Sequence, residues 1–336
     1  MGLAPDPPPP AGRAGSGYEC GGCGSRQGAN RILHPPRPAL LALGGIDYGE
    51  FPTGGSLRST PAIRLAMNQR LRAERGGFAA LGNTKPEAEA IAKQYARITG
   101  QPAEVWHGMD AGEGRLKARL SPTAQAPRVL HLATHGFFLA FRGRDTDSKR
   151  GVMLAEDFMG GMPDASPRPA ASAPASTNGQ SDRPMTLSGL ALVGANRGMG
   201  GNPGPDGEDG VLYALEAQSL NLQGTELVVL SACDTGQREI DVSDGIYGLT
   251  RAFRIAGARN VLMTLWPLDD ALAREFMEDF YCNWLGGGLG GEKRARCEGK
   301  PLPIAEALRQ TRLAWIESGD ARRRDPKYWA PYVLVE

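Results

Sequence analysis

Short apolar runs alternate with amphipathic helical segments along most of this chain, and this alternation constrains the fold more than any other feature. The runs lie at 39–49 (ALLALGGIDYG), 103–108 (AEVWHG), 128–138 (RVLHLATHGFF), 225–232 (TELVVLSA), 259–266 (RNVLMTLW) and 332–336 (YVLVE). Segments with helical spacing of apolar residues lie at 84–100, 112–120, 211–222, 243–257, 269–285 and 304–317. Strands that alternate with helices in this way predict βαβ units. We therefore expect an α/β fold with about six strands in a mostly parallel central sheet and helices on both faces.

The composition departs from this alternation in two places. Residues 1–37 are rich in Pro, Gly and Arg without a period, which predicts a disordered leader. Residues 160–209 are rich in Pro, Ala, Ser and Gly around one apolar island, LSGLALVG. We expect mobile flanks there and an extra strand near the edge of the sheet. Residues 38–336 are thus expected to form one domain with a flexible insertion at about 160–209.

Charge and cysteine content exclude several classes of protein. Lys and Arg number 38 against 37 Asp and Glu, a net charge of +1, so the balance favours neither nucleic acid nor an anionic membrane as partner. No stretch approaches the roughly 20 apolar residues of a membrane span. Five cysteines are too few for a disulfide scaffold in this chain, so we expect a reducing, cytoplasmic setting.

Cys20 and Cys23 have the spacing of half a zinc knuckle. A structural zinc site needs four ligands, and no second pair lies nearby in the sequence. An incidental or redox-labile pair is therefore favoured, and no metal is expected.

Two of the predicted strands end in reactive side chains. His135 follows VLHLAT, and Cys233 follows LVVLSA. Because catalytic groups collect at the carboxyl ends of parallel strands, we expect the two side chains to lie close together. A lone cysteine at a strand end usually serves packing, but a histidine at a neighbouring strand end favours a nucleophile.

Attack of a thiol on a peptide bond needs a base and backbone N–H donors for the oxyanion. His135 is the expected base. Gly136 follows it, and a glycine permits close approach of the backbone. We expect the oxyanion hole from the N–H groups of Gly136 and Cys233.

Four stretches resemble the blocks that characterise CHAT domains, which are caspase-like cysteine peptidases related to separases. They are VLHLATHGFF, ELVVLSACDTG, GIYGLTRAFRIAGARNVLMTLWPLDD and YWAPYVLVE. The resemblance covers roughly residues 39–336, and the order of His before Cys agrees with it. It implies a caspase-like three-layer sandwich, proteolysis by a His135–Cys233 dyad, and neither metal nor organic cofactor.

The resemblance also bears on specificity. In separases an acid shortly after the LW strand end lines the S1 pocket and receives a basic P1 side chain. Asp269 and Asp270 stand at that place, although an Asp there is equally suited to capping the helix that begins at about 270. Further candidates for the pocket are the acids Asp209 and Asp234, and Trp266 is expected either to wall the cleft or to belong to the core.

The resemblance thus implies a cysteine endopeptidase that cleaves a specific protein after a basic residue, in a bacterial regulatory or defence pathway. Many relatives carry repeats that read a partner and gate the peptidase. We expect a separate regulatory or sensor protein here, or a switch within 160–209. The alternative is a catalytically silent interaction scaffold, against which the presence of both His135 and Cys233 argues. A nucleotide-binding switch would need a phosphate-binding loop, and the sequence has no such motif.

Overall fold

The computed structural model describes residues 39–51, 62–139, 188–231, 242–266, 268, 270–286 and 299–336, with the backbone alone at 62–63, 242–247 and 270. All of them belong to one compact unit, Pro36–Glu336. The predicted leader 1–37, with Cys20 and Cys23, lies outside the described residues. So does the part of the predicted insertion from 160 to 187.

Nine strands are present in the described part of the chain. In chain order they are β1 (Leu40–Ile46), β2 (Ala103–Gly108), β3 (Val129–Ala133), β4 (Gly136–Phe138), β5 (Ser188–Ala191), β6 (Val211–Tyr213), β7 (Leu227–Ser231), β8 (Asn260–Thr264) and β9 (Tyr332–Val335). Six of them form the central sheet in the order β2-β1-β3-β7-β8-β9. Only β9 runs antiparallel to its neighbour. The predicted sheet of about six mostly parallel strands is confirmed.

Helices connect these strands, as the alternation predicts. They are α1 (Ala62–Arg75), α2 (Thr84–Thr99), α3 (Glu113–Arg119), α4 (Ala195–Gly198), α5 (Ala214–Ala217), α6 (Val242–Ile255), α7 (Asp270–Leu285), α8 (Ile304–Ile316), α9 (Ala321–Arg324) and α10 (Pro326–Trp329). The helices predicted at 84–100, 112–120, 243–257, 269–285 and 304–317 are confirmed within two residues at either end. Helix α1 was not predicted. The predicted helix 211–222 is instead strand β6 followed by the single turn α5.

The central sheet buries both faces, because side chains alternate between them along each strand. One core holds Leu41, Leu130 and Val228 from the strands together with apolar residues of α1, α3 and α6. The other holds their neighbours Leu40, Val129 and Leu227 with apolar residues of α2, α7 and α8. Helices therefore cover both faces, which gives the expected three-layer sandwich.

A second sheet of three antiparallel strands, β4-β5-β6, packs into the first of these cores. The run 128–138 thus supplies two strands, β3 and β4, to different sheets. The apolar island was expected at the edge of the central sheet, but its strand β5 is the middle strand of the second sheet. Residues 195–209 were expected to be a mobile flank, yet they form hydrogen-bonded turns in which Gly198, Met199 and Asp209 are buried. Packing against distant strands overrides the composition of this segment.

Among the described residues, no helix is both long and apolar enough to cross a membrane. Cys282 on α7 is fully buried and disulfide-bonded. Because disulfides persist mainly in oxidising compartments, this one does not support the expected reducing setting. The cytoplasmic setting stays a prediction.

Candidate active site

The carboxyl ends of β3 and β7 lie side by side. The two strands pair in parallel, and Ala133 stands opposite Ser231 at the last described pair. The pairing continues one step further, since the N–H of Thr134 donates to the carbonyl of Ser231 (3.2 Å). His135 comes two residues after Ala133, and Cys233 comes two residues after Ser231. Each residue adds at most about 3.8 Å of chain, so the Cα of His135 lies within about 8 Å of that of Ala133.

Cys233 itself and Asp234 lie outside the described residues. The neighbouring, parallel placement of the two strands is confirmed. Contact between the imidazole and the thiol stays a prediction.

The His135 imidazole is buried, and its hydrogen bond shows which of the two ring nitrogens carries the proton. Its Nε2 lies 2.7 Å from the carbonyl oxygen of Ala79, and the residue is 3 % exposed. A carbonyl oxygen only accepts hydrogen bonds, so Nε2 carries the proton. In the neutral ring Nδ1 is then unprotonated and able to accept a proton. This is the tautomer that a general base needs if it acts through Nδ1.

Two aromatic rings hold this imidazole. The ring centroids of Tyr48 and Phe78 lie 5.1 Å and 5.4 Å from that of His135. The Thr134 hydroxyl donates to the carbonyl of Ala191 (2.5 Å), so the Tyr48 hydroxyl, 2.9 Å away, donates to Thr134. The His135 side chain therefore sits in a rigid aromatic setting that limits its rotation.

The register of β4 against β5 fixes which way the Gly136 N–H, the expected oxyanion donor, points relative to β5. Gly136 stands opposite Leu190 in the antiparallel pair β4–β5, and the N–H of Ala191 donates to the carbonyl of His135 (2.9 Å). This pattern makes Gly136 and Leu190 a non-hydrogen-bonded pair, so the Gly136 N–H points away from β5. Its carbonyl accepts from Nη1 of Arg75 (3.2 Å).

The residues proposed for the substrate pocket are only partly described. Trp266 follows β8, is 37 % exposed, and donates from Nε1 to the carbonyl of Lys327 (3.0 Å). It therefore keeps an open surface and does not belong to the core. Asp269 lies outside the described residues, and Asp270 begins α7, with its side chain undescribed. Asp270 therefore stands at the N-terminus of α7, as the capping interpretation expects.

Asp209 does not offer a free carboxylate, which corrects its candidacy for the pocket. It is 1 % exposed. Its Oδ2 accepts from Nε of Arg64 (2.6 Å) and Nδ2 of Asn68 (2.8 Å). Its Oδ1 accepts from Nη2 of Arg64 (2.9 Å) and the N–H of Val211 (3.0 Å). Both oxygens are occupied within the protein, because α1 brings a guanidinium to this turn.

Asp209 belongs to a buried ion cluster that the sequence did not reveal. Its members come from α1, α3, the turn before β6, and α5; they are Arg64, Glu113, Lys117, Glu208, Asp209 and Glu216. Oxygens of the three glutamates approach one another within 4.8 Å, as metal ligands do. However, Arg64 and Lys117 already contact these oxygens, so the charge balance comes from the protein's own cations.

Burial and crowding shift the acid–base properties of this cluster. Burial, together with Glu216, raises the pKa of Glu113 well above its usual range, against the attraction of Arg64. Burial also raises the pKa of Glu216, against Arg64 and Lys117. Four carboxylates share two cations here, which adds to the effect of burial in raising the pKa of Glu113.

Sequence patterns did not point to the surroundings of His135, namely Tyr48, Phe78 and Ala79 in loops and Asn196 on the short helix α4. The glycines on either side of Asn196, in Gly194-Ala-Asn-Arg-Gly198, are the one available indication of a tight turn there.

The sheet order, the two covering helical layers and the histidine at a central strand end define a mixed α/β protein of the caspase-like type. The model of the CHAT domain family matches residues 55–336, most of the chain. The chain therefore belongs to the CHAT domain family.

Two curated relatives share part of this region. The chain is similar to human tetratricopeptide repeat protein 28, with 33 % identity over 125 residues, which is 37 % of this chain and 4 % of that protein. It is also similar to the mouse tetratricopeptide repeat protein 28, with 39 % identity over 77 residues, 23 % of this chain and 3 % of that protein. The chain thus spans only a small part of the length of these relatives.

Proposed function

We propose that this chain is a cysteine endopeptidase with a His135–Cys233 dyad. The observation that carries the proposal is the Nε2–H···O=C bond from His135 to Ala79, at the end of the strand next to the one that leads to Cys233. In the neutral ring this bond leaves Nδ1 as the nitrogen that can accept a proton. The proposal rests on strand register and tautomer, together with membership of the CHAT family.

In the proposed reaction Nδ1 of His135 takes the thiol proton of Cys233, and the thiolate sulfur attacks the scissile carbonyl carbon. The N–H groups of Gly136 and Cys233 donate to the resulting oxyanion. Collapse expels the amine, which takes the proton from the imidazolium and leaves a thioester. A water molecule then attacks the thioester while His135 takes its proton. The acid product leaves, and the imidazolium returns the proton to the sulfur, which regenerates the Cys233 thiol.

Specificity is proposed for a basic P1 residue of a protein substrate, read by Asp269, Asp270 or Asp234 beside the open face of Trp266. Asp209 is excluded from this role because Arg64 occupies its carboxylate. The resemblance suggests a bacterial regulatory or defence pathway and a separate regulatory or sensor protein. These two points rest on resemblance alone.

The test compares wild type, Cys233→Ala and His135→Ala on a peptide library with every residue at P1, together with an electrophilic peptide probe that carries Arg at P1. Removing the base or nucleophile should reduce kcat/KM by at least about 100-fold. His107→Ala is the matched control, because His107 is an exposed histidine on β2, and it should behave as wild type.

Cleavage by Cys233→Ala at the wild-type rate would refute the dyad. Absence of both cleavage and probe labelling in wild type would instead support the silent scaffold. A preference for an acidic or large apolar P1 residue would refute the pocket proposal while leaving the peptidase proposal intact.

A further inference from the structure

Asn196, on the short turn α4, bonds to both segments that hold His135. Its Oδ1 accepts from the N–H of Phe78 (2.7 Å), and its Nδ2 donates to the carbonyl of Phe78 (2.9 Å). Its own backbone N–H donates to the carbonyl of Tyr48 (2.9 Å). The rings of Phe78 and Tyr48 are those that flank the imidazole. One residue thus links the two segments that flank His135, Phe78 through its side chain and Tyr48 through its backbone.

The two hydrogen bonds between the Asn196 side chain and the Phe78 backbone also constrain the residue that follows, Ala79. Residues 76–81 form neither helix nor strand, and the Asn196 carboxamide satisfies both backbone groups of Phe78 in the manner of a strand partner. Ala79 follows directly, and its carbonyl accepts the Nε2 proton of His135 at 2.7 Å. The Phe78 carbonyl belongs to the planar peptide unit that joins Phe78 to Ala79, so the bond from Nδ2 holds the plane from which Ala79 continues.

The turn that carries Asn196 is itself rigid. Gly194 has φ 75°, a left-handed conformation that favours glycine. A Cβ on Gly198 would lie only 1.8 Å from the carbonyl oxygen of Asp209, so the two backbones pack without space for a side chain. Asp209 is in turn held by Arg64. The ion cluster therefore holds Asp209 in place, Asp209 packs against Gly198 of the turn, and the same turn carries Asn196.

We infer that Asn196 is a positioning residue that sets the tautomer of His135. By holding the Phe78 backbone it aims the Ala79 carbonyl at Nε2, which keeps the proton on Nε2 and the lone pair on Nδ1. The consequence for catalysis rests on the proposed peptidase function. The effect on the tautomer does not, so the two can fail separately.

The test uses Asn196→Asp in the full chain. The aspartate has the same shape and still accepts from the Phe78 N–H, but it cannot donate to the Phe78 carbonyl and places a negative oxygen against it. The imidazole ¹⁵N shifts of His135, assigned by comparison with His135→Gln, should show protonated Nε2 in wild type and a mixture of tautomers in the variant. On a peptide that wild type cleaves, kcat should fall about 10- to 100-fold with KM nearly unchanged, because a small misplacement of a catalytic group costs this much.

Asn260→Asp is the matched control. Asn260 begins β8, at the amino ends of the parallel strands and so at the opposite end from His135. Its Nδ2 also donates to a backbone carbonyl, that of Glu226 (2.8 Å). It should leave the His135 spectrum and kcat unchanged. Asn196→Ser, which can make only one of the two bonds to Phe78, is a second variant with the same expected shift and guards against misfolding of the aspartate form.

Wild-type ¹⁵N shifts of His135 in either folded Asn196 variant would overturn the inference, whatever the activity. A change in the tautomer with no cleavage or labelling of wild type would instead uphold the positioning role and refute the peptidase proposal.

Discussion

Replacing Arg64 with methionine tests the buried ion cluster most directly. The substitution keeps most of the side-chain volume but removes the guanidinium that bonds to Asp209 twice and also contacts Glu113, Glu208 and Glu216. Burial opposes the charge on Arg64, but the surrounding carboxylates, Glu113 and Asp209 foremost, raise its pKa above the usual value. Arg64 is therefore a permanent cation, and its loss leaves Lys117 as the one cation of the cluster.

The magnitude follows from what remains. Breaking a buried ion pair by removing one partner costs about 3–5 kcal/mol. Glu113 keeps Lys117 at 2.7 Å, and Asp209 keeps Asn68 and the N–H of Val211, so the lower end of that range applies. We expect Arg64→Met to lower the free energy of unfolding by about 3 kcal/mol near neutral pH.

The penalty should depend on pH with a definite sign. Burial first, then Glu216, raises the folded-state pKa of Glu113 above its usual value of 4.5. A group with a raised carboxyl pKa favours the folded state at low pH, and this contribution is lost as pH rises from that usual value through the raised one. Arg64 opposes the shift, so its removal raises the pKa of Glu113 further. The destabilisation by Arg64→Met should therefore be larger at about pH 8 than at about pH 5.

Urea unfolding followed by tryptophan fluorescence, at both pH values, gives the two differences. Arg197→Met is the control, because Arg197 pairs with Glu50 at the surface, where the side chains are 50 % and 66 % exposed, and such pairs contribute below about 1 kcal/mol. The reasoning fails if Arg64→Met costs no more than this control, or if its penalty shrinks as pH rises.

Two further substitutions test the packing that surrounds the site. Gly198→Ala should lower stability by about 2 kcal/mol or more, since its Cβ would meet the Asp209 carbonyl at 1.8 Å; Gly82→Ala, with no atom within 4 Å of its Cβ, should change the urea midpoint little, and equal effects would contradict the close approach. Trp315→Ala should cost about 3–5 kcal/mol, because the ring is 1 % exposed and packs edge-on against Phe276 at 5.1 Å. The control is Ile316→Ala, next in the chain but 41 % exposed, which should cost below about 1 kcal/mol in the same urea assay. A Trp315→Ala protein as stable as this control would show that the ring does not anchor α8.

Part of the candidate site followed from local sequence patterns. The apolar run 128–133 predicts a buried strand, and a parallel neighbour places His135 at the same edge as the strand before Cys233. A short continuous apolar run carries enough information for this, because a strand covered on both faces is apolar along its whole length and parallel strands align their carboxyl ends.

The surroundings of His135 could not be read in the same way. Ala79 and Asn196 lie in segments without periodicity, and the segment 195–209 has the composition of a mobile loop. Its order comes from contacts across the chain, such as Arg64 with Asp209, which are 145 positions apart. Composition predicts disorder from the lack of local apolar burial, and it does not register an ion cluster assembled from four distant segments.

The sequence by itself determined the α/β class, the central strands and the pair of strand ends at which His135 and Cys233 are expected. The tertiary structure alone decided which nitrogen of His135 carries the proton, that the Gly136 N–H faces away from β5, and that Asp209 is engaged by Arg64. The physical reason is the range of the interactions. The apolar patterns that specify strands and helices involve residues close together in the sequence. A hydrogen-bond partner or a counter-ion depends on where the fold brings distant loops together.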